Sequence, residues 1–371
     1  MSTAETSGAK ASGSVLPRSH RWRELDSVRF FAVFGVMMVH FSPNWLGGYG
    51  ELGTWGVTFF FVLSGFLITQ LLLSARQRLD EGQSTLGAEA RHFFVRRCLR
   101  LWPIYFITLI VTAALGIQYG RSMFWWNATF VSNYYVMRME NWPGLFSHLW
   151  TLAIEQQFYT IWPWLILILP KRWLPGLFGG LIIGGALYRL AAARLGVATP
   201  FGVNISLPGC ADFFSWGAGL AWVRRAGAKG SRAQDRWALA IAVLGAAILM
   251  AAYLGHVQVD RPHVRSAWTG TLCAVSAAAL IWHCLGEEIS PVRRVLRWPP
   301  LIYLGSISYG IYLLHNFSHW VAPHLLRHII GKNYFDHETP HVLYLISLSL
   351  LFAVLSWHLI EQPFNRLRTR F

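Results

Sequence analysis

"RFFAVFGVMMVH" (Arg29–His40) places ten uncharged apolar residues between an arginine and a histidine. A run of this kind reads as part of a helix in a membrane. Eleven positions make close to three helical turns, so both ionisable side chains fall on one face, roughly 16 Å apart along the axis. Such groups are costly in hydrocarbon and therefore face protein or water. The stretch predicts a helix of a bundle, with one polar face that lines something.

The rest of the chain agrees. Of its 371 residues, 54% are hydrophobic and only 13% charged, with mean hydropathy +0.39. A soluble domain carries about a quarter charged residues. Nineteen tryptophans, many beside the ends of apolar runs, fit interfacial belts. The expected fold is all-α and polytopic, with ten spans near 26–43, 54–73, 93–117, 145–169, 174–194, 207–223, 237–255, 267–285, 301–320 and 342–360. The span at 207–223 contains Asp212 and several glycines and is the weakest of the set. The aromatic stretch 122–135 is short and polar-flecked, and reads as interfacial or re-entrant. Residues 1–20 are small and polar without the apolar centre of a signal peptide, and read as a disordered cytoplasmic tail. Residues 21–371 then form a single transmembrane domain.

Charge orients the bundle. With the N-terminus inside, 23 of the 32 lysines and arginines fall on inner segments and 8 on outer ones, Arg29 lying within the first span. The positive-inside rule selects N-in and C-in, which an even number of spans requires. This distribution accounts for the formal charge of +15 through topology and anionic lipid, and sets nucleic-acid binding aside. Cys98, Cys210, Cys273 and Cys284 lie in or beside apolar runs without paired spacing, so they read as small packing residues.

Orientation gives each intramembrane polar group a depth. Arg29 lies near the inner side and His40 in the outer half. The fourth span runs inward through "FSHLWTLAIEQQFY" (146–159), placing His148 near the outer face and Glu155 seven residues deeper on the same helical face. The ninth runs outward, bringing His315 to the depth of His40, with Ser308 seven residues below it. On the inner side, "HFFVRRCLRLWP" (92–103) carries Arg96, Arg97 and Arg100, of which Arg97 and Arg100 are helix neighbours. Arginine binds phosphate through a rigid fork of donors, although the same residues also serve as positive-inside anchors. Each histidine could equally be a hydrogen-bonded interior residue. A buried carboxylate such as Glu155 is harder to explain that way, since it needs a partner.

The ordered blocks resemble the acyltransferase family 3 integral-membrane acyltransferases. "RELDSVRFFAVFGVMMVHF" (23–41) is similar to the family's opening block, Arg29 and His40 matching its Arg/Lys-x10-His signature. "GTWGVTFFFVLSGFLIT" (53–69), "FFVRRCLRLWPIY" (93–105), "SHLWTLAIEQQFYTIWP" (147–163), "LGSISYGIYLLH" (304–315) and "IEQPF" (360–364) resemble later blocks in order. Thr151 stands where the family usually has serine. Members with a fused extracytoplasmic esterase-like domain exist, and none is expected here.

The resemblance implies an acyl-CoA donor, usually acetyl-CoA, on the cytoplasmic face of a bacterial inner membrane. It implies a hydroxyl acceptor on an exopolysaccharide, O-antigen or lipid-linked sugar. By the same resemblance, Arg29, Arg97 and Arg100 bind the donor, and His40 acts as general base or transient acyl carrier. Glu155, His148 or His315 would orient the imidazole. Two other readings compete: acylation of a small molecule such as a macrolide, and a transporter or flippase without covalent chemistry. No metal site is expected, although His324 and His328 are spaced i, i+4, with His315, His319, His337 and His341 nearby, because no carboxylate-histidine motif accompanies them.

Overall fold

The computed structural model describes residues 22–41, 50–196, 199–228, 230–254, 262–287, 289–321 and 338–367. They form helices, with no strand among the described residues. The principal ones are α1 (Arg23–Phe41), α2 (Gly50–Asp80), α3 (Leu86–Ala114), α4 (Leu149–Ile168), α5 (Leu174–Arg194), α6 (Leu207–Arg225), α7 (Arg232–Tyr253), α8 (Pro262–Cys284), α9 (Pro299–Ser306), α10 (Ser308–Leu314) and α11 (Glu338–Ser356).

Six described stretches are long and apolar enough to cross a membrane: Gly53–Asp80, Leu86–Ala114, Lys171–Ala192, Arg232–Tyr253, Ala267–Cys284 and Pro340–Leu367. The other four of the ten expected spans are helical but fall short of that mark. Polar groups are the reason in three of them: Glu24, Asp26 and Arg29 in α1, Glu155 to Gln157 in α4, and Asp212 with Arg224 and Arg225 in α6.

The fourth corrects the sequence expectation of one straight span over 301–320. The helix ends at Ser306, restarts at Ser308 and tightens into a 3-10 turn over His315–Phe317. A Gly-Ser pair is a known site of helix kinks, and here Gly305–Ser306 precedes the break. The Ser306 hydroxyl donates to the Tyr303 carbonyl at 2.7 Å, competing with the helical ladder. The break precedes Ser308, so Ser308 and His315 stand at opposite ends of the helix Ser308–Leu314 and its C-cap.

At the centre, α2 packs against α1, α4, α6 and α8. Helices in lipid associate through close packing rather than water exclusion, and small residues permit it. A Cβ on Gly65 would lie 2.0 Å from the Phe214 carbonyl oxygen, and one on Gly217 would lie 1.9 Å from that of Val62. Glycine at both positions lets the α2 and α6 backbones touch. The uncertain span over 207–223 is explained by Asp212, which is buried and receives both ends of the Arg189 fork at 2.7 Å. Arg189 therefore sits inside α5 as a partner, not in an outer loop.

The first helix is fixed at its base. Glu24 accepts from Arg293 Nη2 at 2.8 Å and Arg297 Nε at 2.7 Å, and Ser27 donates to the Leu296 carbonyl at 2.5 Å. These bonds tie α1 to the short helix Pro291–Leu296 and so set the direction of its polar face.

Stretch 122–135 is a pair of short helices, Phe124–Ala128 and Ser132–Met139. They meet at Phe130, which adopts φ +56°. The Phe130 N–H bonds to Asn127 O and the Val131 N–H to Trp126 O, the Schellman ending in which glycine is usual. The Phe130 ring lies 4.9 Å from that of Tyr105, nearly parallel, and its carbonyl accepts from Gln157 Nε2 at 2.8 Å. The turn of this pair thus reaches the middle of α4, beside Glu155. No disulfide joins any of the four cysteines. The tail 1–20 and the loop containing His324, His328 and His337 lie outside the described residues.

Candidate active site

Arg29 of α1, Arg97 and Arg100 of α3, Glu155 and Tyr159 of α4, and Ser308, Tyr309 and Tyr312 of α10 line one cavity with an empty volume of about 590 Å³. Val57, Phe60 and Phe61 of α2 form its apolar wall. Sequence spacing placed Arg97 and Arg100 on one helical face, and the cavity lining joins Arg29 of α1 to them.

The cavity is rich in unmet donors. Arg97 sits 4.8 Å over the Tyr159 ring, and no hydrogen-bond acceptor meets Arg97 or Arg100 among the described residues. Among the described residues Arg29 has one loose ion pair, 3.8 Å from Asp26, and its buried Nε has no partner. The one carboxylate lining the cavity, Glu155, is occupied: its Oε1 accepts from the Ser64 hydroxyl and the Tyr159 hydroxyl. Three guanidinium groups against one carboxylate make a site for an anion, and a phosphate-bearing group suits the forks.

At its far end the cavity stops at Thr151 and Tyr312, whose hydroxyl oxygens lie 2.5 Å apart. Beyond them stand three histidines. His40 Nδ1 lies 2.6 Å from His315 Nε2, with the ring planes within 5° and the centroids 4.9 Å apart. A short N···N distance between parallel planes is an edge-to-edge hydrogen bond, not a face stack.

Their partners assign the protons. His315 Nδ1 lies 2.7 Å from the Tyr312 carbonyl, which can only accept, so a neutral His315 carries its proton on Nδ1. Its Nε2 then offers a lone pair, and His40 must donate from Nδ1. That leaves His40 Nε2 with an unprotonated lone pair and no described partner. His148 differs: its Nε2 donates to the Leu313 carbonyl at 3.1 Å, and its Nδ1 accepts from the Asn316 amide at 3.0 Å. Of the three imidazoles, one retains a basic nitrogen.

Every site residue expected from sequence lies in this region, but in two compartments. Arg29, Arg97, Arg100 and Glu155 line the cavity; His40, His148 and His315 lie past Thr151 and Tyr312. Of the three residues proposed to orient His40, only His315 bonds to it. Glu155 bonds to Ser64 and Tyr159 instead, and the His148 ring centroid is 6.4 Å from that of His40. Sequence reasoning missed Ser64, Tyr159, Tyr312 and Asn316. Tyr312 lies about one turn before His315, Asn316 directly follows it, and Tyr159 lies one turn from Glu155. That local signal existed, but it does not say which neighbour faces inward.

The family model described as an acyltransferase domain matches residues 22–360. The O-acetyltransferase OatA of Staphylococcus aureus is 29% identical over 371 residues, covering 92% of this chain and 57% of the relative. The peptidoglycan O-acetyltransferase OatA of Listeria monocytogenes is 28% identical over 327 residues, covering 78% of this chain and 48% of the relative. The chain thus spans about half the length of these relatives. No solved structure matches it.

Proposed function

The chain belongs to this acyltransferase family, and from that premise we propose that it transfers acetyl from acyl-CoA to a hydroxyl of a peptidoglycan-type carbohydrate. One observation carries the reading. One cavity has arginines without a described acceptor on its wall and reaches Tyr312, whose carbonyl holds His315, which in turn holds the histidine with the free nitrogen.

In this reading the CoA phosphates bind Arg29, Arg97 and Arg100, and the pantetheine arm runs toward Tyr312. The rise from Arg29 to His40, roughly 16 Å, matches the reach of that arm. His40 Nε2 takes the proton of the acceptor hydroxyl, which attacks the thioester carbon. His315 holds the His40 ring in the productive tautomer. Glu155 offsets part of the arginine charge while Ser64 and Tyr159 fix its carboxylate. His148, tied to Leu313 and Asn316, supports the wall.

The same reading places ten helices in a bacterial cytoplasmic membrane with both termini inside, so the arginines face the cytoplasm and the histidines the outer half. Single cysteines in 225–235 should react with impermeant label only from the cytoplasm, and those in 325–340 only from outside. The reverse pattern would overturn the depth assigned to both compartments.

Mass spectrometry of surface glycans, with and without the gene, tests the activity. Loss of acetyl from muropeptides supports the proposal. Loss from exopolysaccharide or O-antigen instead moves the acceptor, and an unacetylated macrolide-type metabolite would point to a small-molecule acceptor. Unchanged acetylation with altered export of an intact molecule would make the chain a transporter.

A further inference from the structure

The Thr151 and Tyr312 hydroxyls have more contacts than protons. Thr151 Oγ1 lies 2.9 Å from the His148 carbonyl oxygen, Tyr312 Oη 3.0 Å from the same oxygen, and the two hydroxyls 2.5 Å from each other. Each hydroxyl carries a single proton, and a carbonyl supplies none. Two protons cannot fill three contacts. If both pointed at the carbonyl, two bare oxygens would face each other at 2.5 Å. One proton must therefore lie between the hydroxyls.

The favoured order follows from the helix. Thr151 donating back to the carbonyl three residues earlier is an ordinary local bond of a helical threonine. The Tyr312 proton then points at Thr151. The His148 carbonyl also receives the Thr151 N–H at 3.3 Å, so it keeps its partners without tyrosine. A buried carbonyl stripped of all donors would be expensive; this one is not at risk. When an oxygen enters the cavity, the Thr151 proton can turn from the carbonyl to the Tyr312 oxygen, which frees the Tyr312 proton for the newcomer while the carbonyl keeps the Thr151 N–H.

The geometry points to Tyr312 as the hydrogen-bond donor to the carbonyl oxygen of the bound acyl thioester. This inference rests on the reading of the cavity as the acyl donor's site. The acceptor oxygen forms a bond to the acyl carbon, and its proton passes to His40 Nε2. The carbonyl electron pair moves to oxygen, where the Tyr312 O–H holds the charge without surrendering its proton. The pair then re-forms the carbonyl, the carbon–sulfur bond breaks, and the CoA thiolate takes the proton from His40. Tyr312 is unchanged at the end. One residue thus serves both compartments: its carbonyl fixes the tautomer of His315 and hence of His40, and its hydroxyl lines the donor cavity.

The test uses the full chain in lipid nanodiscs, following CoA thiol release from acetyl-CoA with muropeptides as acceptor. Removing one donor of this kind lowers kcat by about 10²–10³-fold. Tyr312→Phe should show that loss while KM for acetyl-CoA and direct CoA binding stay within about threefold of wild type. Thr151→Ser, which keeps the second hydroxyl, should lose less kcat than Thr151→Val, which removes it. A Tyr312→Phe protein with near-wild-type kcat overturns the inference. So does one whose CoA binding and melting temperature fall together with kcat, since that marks a purely structural role. If the wild-type protein neither binds CoA nor releases it from acetyl-CoA, the donor reading of the cavity itself fails.

Discussion

Arg97 and Arg100 reach the cavity with no acceptor among the described residues, whereas on the far side of Tyr312 both ring nitrogens of His148 and of His315 are occupied. In the proposed reading the arginines are cations kept for a ligand that brings its own charge. The histidines are locked by carbonyls and an amide into one proton arrangement that leaves one lone pair. A binding region keeps its hydrogen bonds unfilled until the ligand comes. A reacting region fills all but one in advance, because preorganised groups need no rearrangement as charge develops. Tyr312 is the wall between them and belongs to both.

The sharpest attempt to break this contrast is His40→Ala. Loss of a general base should lower acetyl transfer by about 10²–10⁴-fold and leave CoA binding intact. Transfer and CoA binding measured on one nanodisc preparation check it. A protein retaining more than about a tenth of wild-type transfer would remove the imidazole from the chemistry and direct attention to Glu155.

The arginine side should fail differently. Arg97→Ala or Arg100→Ala should weaken CoA binding by about tenfold to a hundredfold, the cost of about 1.5–3 kcal/mol for a lost charged hydrogen bond. Lysine at either position should restore part of the affinity, since it supplies charge without the fork. Equal CoA affinity in wild type and both alanine variants would reduce these residues to topology anchors.

His148 marks the finest distinction. Glutamine offers an N–H to the Leu313 carbonyl and an oxygen to the Asn316 amide, reproducing both bonds. His148→Gln should therefore retain transfer within about tenfold, whereas an imidazole acting directly would lose about 10²-fold or more. Acetyl transfer at saturating acetyl-CoA separates the two outcomes.

Among the spans, those that failed to look like membrane helices carry much of the site. Arg29 and His40 lie on α1, Glu155 and His148 at α4, and Tyr312 on the segment after the break at Ile307. Function lowered the apolarity by which such helices are recognised. The broken ninth span was hidden for another reason. A Gly-Ser pair inside an apolar run permits a kink but does not require one.

The sequence alone determined the all-helical class and the spacing of Arg29 with His40, Arg97 with Arg100, and His148 with Glu155. Those relations lie within single helices, where 3.6 residues per turn convert position into direction. Tertiary structure decided that Glu155 joins Ser64 and Tyr159, that His315 rather than His148 bonds His40, and that two hydroxyls divide the cavity from the histidines. Contacts between helices depend on rotation and crossing of whole elements. Those are set by features such as the Gly65–Gly217 approach and the bonds of Glu24, from residues far apart in the chain. Periodicity fixes which side chains share a face; only packing chooses what that face meets.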